Sequence, residues 1–132
     1  MKNSKISKII LLTTVLMISG ICSAKDIDKD VIRTQCKRIH QELKKLYDSN
    51  PSAPCADSVL YSNYVMRGAE ALVKSERYSA SIKNLRTAYG NLNDTYLLSG
   101  RCEYFAPRVK APLDDIALLI NELEKATENN VF

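Results

Sequence analysis

The sequence predicts an all-α protein, a four-helix antiparallel bundle in up-down order behind a cleaved N-terminal signal peptide. Three observations predict it. Apolar residues recur every three or four positions through four separate stretches, which is the spacing of one helix face. Proline, asparagine and glycine interrupt the chain between those stretches. No stretch alternates apolar and polar residues as a half-buried strand does.

The leader comes first. Lys2, Lys5 and Lys8 stand in an acid-free start, Ile9 to Ile18 is apolar apart from Thr13 and Thr14, and Ser19-Gly20 breaks the run. Cys22-Ser23-Ala24 then sets small residues at the −3 and −1 positions before Lys25, the layout of a secretory signal peptide over 1–24. The run is shorter than the roughly 20 residues a membrane-spanning helix needs, so stable membrane insertion is not expected. Lipid attachment at Cys22 needs a small residue before it, and Ile21 is branched. Residues 25–132 then form a single helical domain, periplasmic or secreted.

The first helix covers Asp26 to Asp48. Ile32, Cys36, Ile39, Leu43 and Leu46 step by four and three, and Asp26, Asp28 and Asp30 suit the positive end of the helix dipole. Pro51 and Pro54 end it. The second helix runs from about Cys55 to Ser75, with Leu60, Tyr64, Ala71 and Leu72 on its apolar side, widened by Val59, Met66 and Val73. Gly68-Ala69 offers a low spot for a close helix contact. The third helix, Tyr78 to Ser99, places Tyr78, Ile82, Leu85, Tyr89, Leu92 and Tyr96 on one seam, and Gly100 stands where a C-capping glycine belongs. A connection over 101–111 leads to Pro112, which opens the last helix at a first-turn position. Leu113, Ile116, Leu119, Ile120 and Leu123 form its core face.

Charge excludes one class of function. Residues 1–24 hold three lysines and no acid, so the processed chain has 16 Lys and Arg against 15 Asp and Glu. A nucleic-acid binder keeps a strong basic surplus, and none remains here. Enzyme signatures are missing as well: there is no G-x-S-x-G, H-E-x-x-H, C-x-x-C or C-x-x-C-H. No catalytic residue, cofactor or metal is therefore assigned, and the chain is not expected to be an enzyme.

Three cysteines remain after processing, and an exported chain meets an oxidising compartment. In an up-down bundle Cys55 opens helix two at the end where helix three delivers Cys102. Cys36 lies midway along helix one, about 18 Å away at 1.5 Å per residue. The expected bridge is Cys55–Cys102, with Cys36 as the free thiol; that odd thiol also admits an intermolecular bridge and a homo-oligomer.

The leading functional expectation is a small exported bundle that binds another protein, as an inhibitor, immunity protein, chaperone or accessory factor. Seven tyrosines without a tryptophan, together with spare arginines, suit a protein interface. Tyr61, Tyr64, Arg67, Arg86 and Tyr89 are the candidate surface, with the tyrosines expected to cluster between helices two and three. The second expectation is a ligand- or metal-binding bundle using Cys36, His40 and Met66, since Cys36 and His40 share a face. Charge also segregates. Residues 67–110 hold eight cations against four acids, and Asp114 to Glu128 holds five acids against Lys125. The last helix is expected either to lie on the basic hairpin or to leave it facing an acidic partner.

Overall fold

A computed structural model describes residues 27–129; the leader and Cys22 lie outside the described residues. The architecture is all-α: α1 Lys29–Ser49, α2 Ala56–Lys74, α3 Tyr78–Leu97, a 3-10 turn Ala106–Arg108, and α4 Lys110–Asn129. Helices consecutive in the chain pack side by side, and a narrower seam between α1 and α4 closes the bundle. Cross-helix hydrogen bonds set the direction. Asn91 on α3 meets Ser58 on α2 at one end and Ser81 meets Ala69 at the other, so α2 and α3 run antiparallel. His40 with Asn63, and Arg33 with Glu70, give the same sense to α1 and α2.

α1 follows its sequence pattern closely. Asp28 is the N-cap and accepts from the Val31 amide at 3.2 Å, so one unpaired amide of the first turn is satisfied. Ile32, Cys36, Ile39 and Leu43 are buried, and Leu46 lies at the edge of the core. α1 ends at Ser49, just before Pro51.

The core face of α2 is rotated from the expected one. Val59, Ser62, Asn63, Met66, Ala69 and Val73 are buried, whereas Tyr64 and Ala71 are exposed. Two polar residues complete this stripe, which hides it from an apolar count. They are buried because hydrogen bonds offset their desolvation. The Asn91 amide donates to the Ser58 carbonyl at 2.6 Å and to Ser62 Oγ at 2.8 Å. Asn63 donates to the His40 carbonyl, and Ser81 Oγ to the Ala69 carbonyl at 3.0 Å. The helices come close where the side chains are small. A Cβ on Gly68 would lie 2.7 Å from Asn84 Nδ2, so the expected close contact at this glycine is present.

On α3 the six-residue seam divides. Ile82, Leu85 and Leu92 are buried together with Ser81, Ala88 and Thr95, while Tyr78 and Tyr89 are half-buried and Tyr96 is 37% exposed. Rings of this size fit at the margin of the seam, and the small residues occupy its middle.

Two expected helix ends differ. Gly100 is not a left-handed cap: α3 stops at Leu97 with Leu98 as its C-cap, and none of the described glycines has a positive φ. The left-handed residues are Cys55, with φ 72°, and Glu76, with φ 61°. Glu76 closes α2 in a Schellman motif, because the Arg77 amide donates to Leu72 at 2.8 Å and the Glu76 amide to Val73 at 2.9 Å. α4 begins at Lys110 and not at Pro112, which becomes its third residue. Proline is tolerated there because the first four amides of a helix have no intrahelical acceptor. The 3-10 turn before α4 buries Ala106, and Phe105 and Val109 on either side of it join the core.

Cys55 and Cys102 form the disulfide, with Cα atoms 5.5 Å apart, and tie the start of α2 to the connection after α3. Cys36 is free and buried.

Candidate interaction surface

The thiol, imidazole and thioether singled out on α1 and α2 do not form an open site. Cys36 and Met66 are both 0% exposed. Burial first, and the Glu70 carboxylate second, push the Cys36 thiol up to about 12. A thiol held neutral in this way is a poor nucleophile and a poor metal ligand. It has no route to a second chain either, so this fold does not offer it for an intermolecular bridge. His40 Nε2 lies 3.1 Å from Glu70 Oε1, and Arg33 reaches the other Glu70 oxygen at 3.9 Å. Glu70 therefore joins α1 to α2 through two cationic or polar partners. Arg33 Nε is buried without a hydrogen-bond partner among the described residues. No group of three or more His, Cys, Asp and Glu side chains within metal-binding reach occurs among the described residues.

The five candidate surface residues fall on two faces. Tyr61, 52% exposed, and Tyr64, 55% exposed, stand on α2 with Arg67, one and two turns along the outside of the bundle. Arg86 and Tyr89 belong to the α3–α4 side. Arg86 pairs with Glu124 of α4 at 2.8 Å. Tyr89 is half-buried against the core on that side. Tyr96 lies beside them, with the Lys110 ammonium 5.3 Å from its ring centre. The tyrosines accordingly do not gather between α2 and α3. The basic hairpin does engage the acidic helix, but through Arg86; Asp115 of α4 turns the other way, to Arg38 of α1 at 3.2 Å.

Side chains elsewhere are occupied by structure. Tyr104 stacks edge-on against Phe105 with ring centres 4.9 Å apart, carries the Arg108 guanidinium 3.9 Å above its ring, and hydrogen-bonds Ser49 at 2.9 Å. An open groove of about 530 Å³ beside the disulfide is lined by Pro54, Asp57, Asp94, Leu98 and Arg101 among others.

No helix among the described residues is long and apolar enough to cross a membrane. No family model, curated protein or solved structure matches this chain.

What the sequence missed is the register between α1 and α2. Glu70 was legible only as a polar position on a helix. Its partners Arg33 and His40 lie 30 or more residues earlier, and only the packing of the two helices brings them to it.

Proposed function

We propose that this protein is exported and acts by binding another protein, in the bacterial envelope or outside the cell, as an inhibitor, immunity protein, chaperone or accessory factor. One observation carries the reading. Tyr61, Tyr64 and Arg67 stand in solvent on the outer face of α2, while Cys36, His40 and Met66 are taken up by packing and by Glu70. Exposed tyrosines and arginines combine large contact area with directional hydrogen bonds, and they dominate binding energy at protein interfaces. The bridged cysteine pair supports export, because such pairs persist in oxidising compartments. A rigid, stapled scaffold also limits the ordering entropy lost on association.

The test is affinity capture from the native host. The full chain carries a C-terminal tag and keeps its leader, and it is compared with the Tyr61→Ala/Tyr64→Ala variant. One partner protein recovered with the parent and lost with the variant is the expected result. Recovery that does not change between the two contradicts the assignment to this face.

A further inference from the structure

We infer that the outer edge of the α1–α2 seam is the docking site for an acidic protein segment, an inference that rests on the protein-binding reading and names the chemistry of the partner. The contacts of Arg33 with Glu70, and of His40 with Asn63, define which residues lie level across the seam. That register puts Lys37 level with Arg67 and Lys29 level with Lys74. Each level thus sets one cation on α1 and one on α2. None of the four has an acidic partner within 4 Å among the described residues; the ion pair between the two levels, Arg33 with Glu70, is internal to the seam. Asp30 stands next to Lys29 and forms no ion pair there either.

The basic edge continues toward the disulfide end. Lys44 bonds Asp48 at 2.7 Å, and its ammonium also feels the Tyr64 phenol. Tyr64 itself is exposed one turn before Arg67, so an aromatic anchor stands at the end of the cationic row. Elsewhere the fold places acids against cations across helices, as at Arg86 with Glu124 and Arg38 with Asp115. Along this edge Glu70 is taken by Arg33 and His40, and the levels on either side of it have no acid of their own. Like charges held side by side oppose folding of the free chain, and a partner that supplies carboxylates removes that opposition on binding.

The two cationic levels are seven or eight residues apart, about 11 Å at 1.5 Å per residue. Carboxylates two turns apart on an acidic helix match that spacing. A protein partner is favoured over a polyanion because Tyr64 extends the edge with apolar ring surface, which a purely electrostatic contact does not use.

The experiment is photo-cross-linking from residue 64, with benzoylphenylalanine replacing Tyr64 in the full chain produced by its native host. It is repeated in three backgrounds: Lys37→Glu, Arg67→Glu, and Lys83→Glu on the exposed side of α3. The expected product is one protein, its cross-linked peptide rich in Asp and Glu. Either seam reversal lowers the yield about tenfold or more, and Lys83→Glu leaves it unchanged. Lys37→Glu also raises the melting temperature, because the new carboxylate faces Arg67; loss of binding with a gain in stability is the signature of this site. A product whose peptide lacks acidic excess, or one that survives both reversals, overturns the acidic-partner inference and leaves protein binding standing. An adduct to nucleic acid or lipid in place of protein overturns both. No adduct from residue 64, in a host where affinity capture succeeds, overturns the choice of this edge.

Discussion

Cys36 is free and buried on the α1 stripe, as its spacing in the sequence leads one to expect of a core thiol. Its position on the α1 stripe was legible, since 32, 36, 39 and 43 repeat at helical spacing and all four are buried. Its chemistry was not, because the carboxylate that helps to raise it belongs to another helix. The raised thiol makes a pH prediction whose sign can be worked out. The unfolded thiol loses its proton near 9.0 and the folded one near 12, so the folded state holds one proton more in that window. Stability from this group is therefore complete below pH 9 and falls as pH rises toward 12. Cys36→Ala removes the thiol at a cost of about 1–2 kcal/mol at neutral pH, for lost packing. Urea unfolding from about pH 7 to 11 is expected to show the gap between parent and variant narrowing above about pH 9. A constant gap contradicts burial of the neutral thiol. Native Cys36 is also expected to resist alkylation until denaturant is added.

At the scale of the element, the two hairpin turns differ in how much could be read beforehand. Pro51 and Pro54 announce the end of α1, because proline lacks the amide a helix needs. The end of α2 carries no such signal. Glu76 adopts the left-handed conformation that a glycine ordinarily takes, at a cost of roughly 1–2 kcal/mol for a side chain with a Cβ. Glu76→Gly is accordingly expected to stabilise the protein by about 0.5–1 kcal/mol in thermal unfolding, and a loss of stability contradicts the cap geometry.

The glycines inside helices make a paired test. Gly90 has open space where a methyl group would stand, with nothing within 4 Å, so Gly90→Ala is expected to add about 0.5–1 kcal/mol. Gly68 touches Asn84, whose amide donates to the Val65 carbonyl at 3.3 Å. Gly68→Ala displaces that amide, and its gain in helix propensity is offset. Equal gains at the two sites contradict the close approach of α2 and α3. The face of α2 was misread from sequence for a related reason. Ser62 and Asn63 belong to the core only because Asn91 and the His40 carbonyl satisfy them, and neither partner is visible in local periodicity.

For the whole molecule, helix number, order and direction were legible because four amphipathic stretches joined by short breaks have few ways to bury their faces. The same antiparallel logic placed Cys55 and Cys102 at one end, and the structure joins them. The arrangement of the tyrosines was not legible. Which tyrosines stand in solvent depends on the rotation of each helix about its own axis, and buried polar and small residues such as Asn63, Ala69 and Ala88, which apolar periodicity does not count, lie on the inward faces. The bridge spans 47 positions of sequence. Closing such a loop in the unfolded chain contributes about 4 kcal/mol through lost chain entropy, a large share of the stability of a domain this size. Cys55→Ser/Cys102→Ser is expected to lose most of that in equilibrium unfolding while keeping its helical circular dichroism. A loss below about 1 kcal/mol contradicts a stapling role.

The proposal of an exported bundle, stapled at one end and with Cys36 shut inside, is tested most directly by mass. The measurement is the intact mass and non-reduced peptide map of the protein recovered from the host's periplasm and culture fluid after alkylation without denaturant. The expected result is a chain beginning at Lys25, a linked peptide pair containing Cys55 and Cys102, and an unmodified Cys36 that alkylates once the chain is unfolded. A chain that retains residues 1–24, a bridge through Cys36, or Cys55 and Cys102 both alkylated would contradict it.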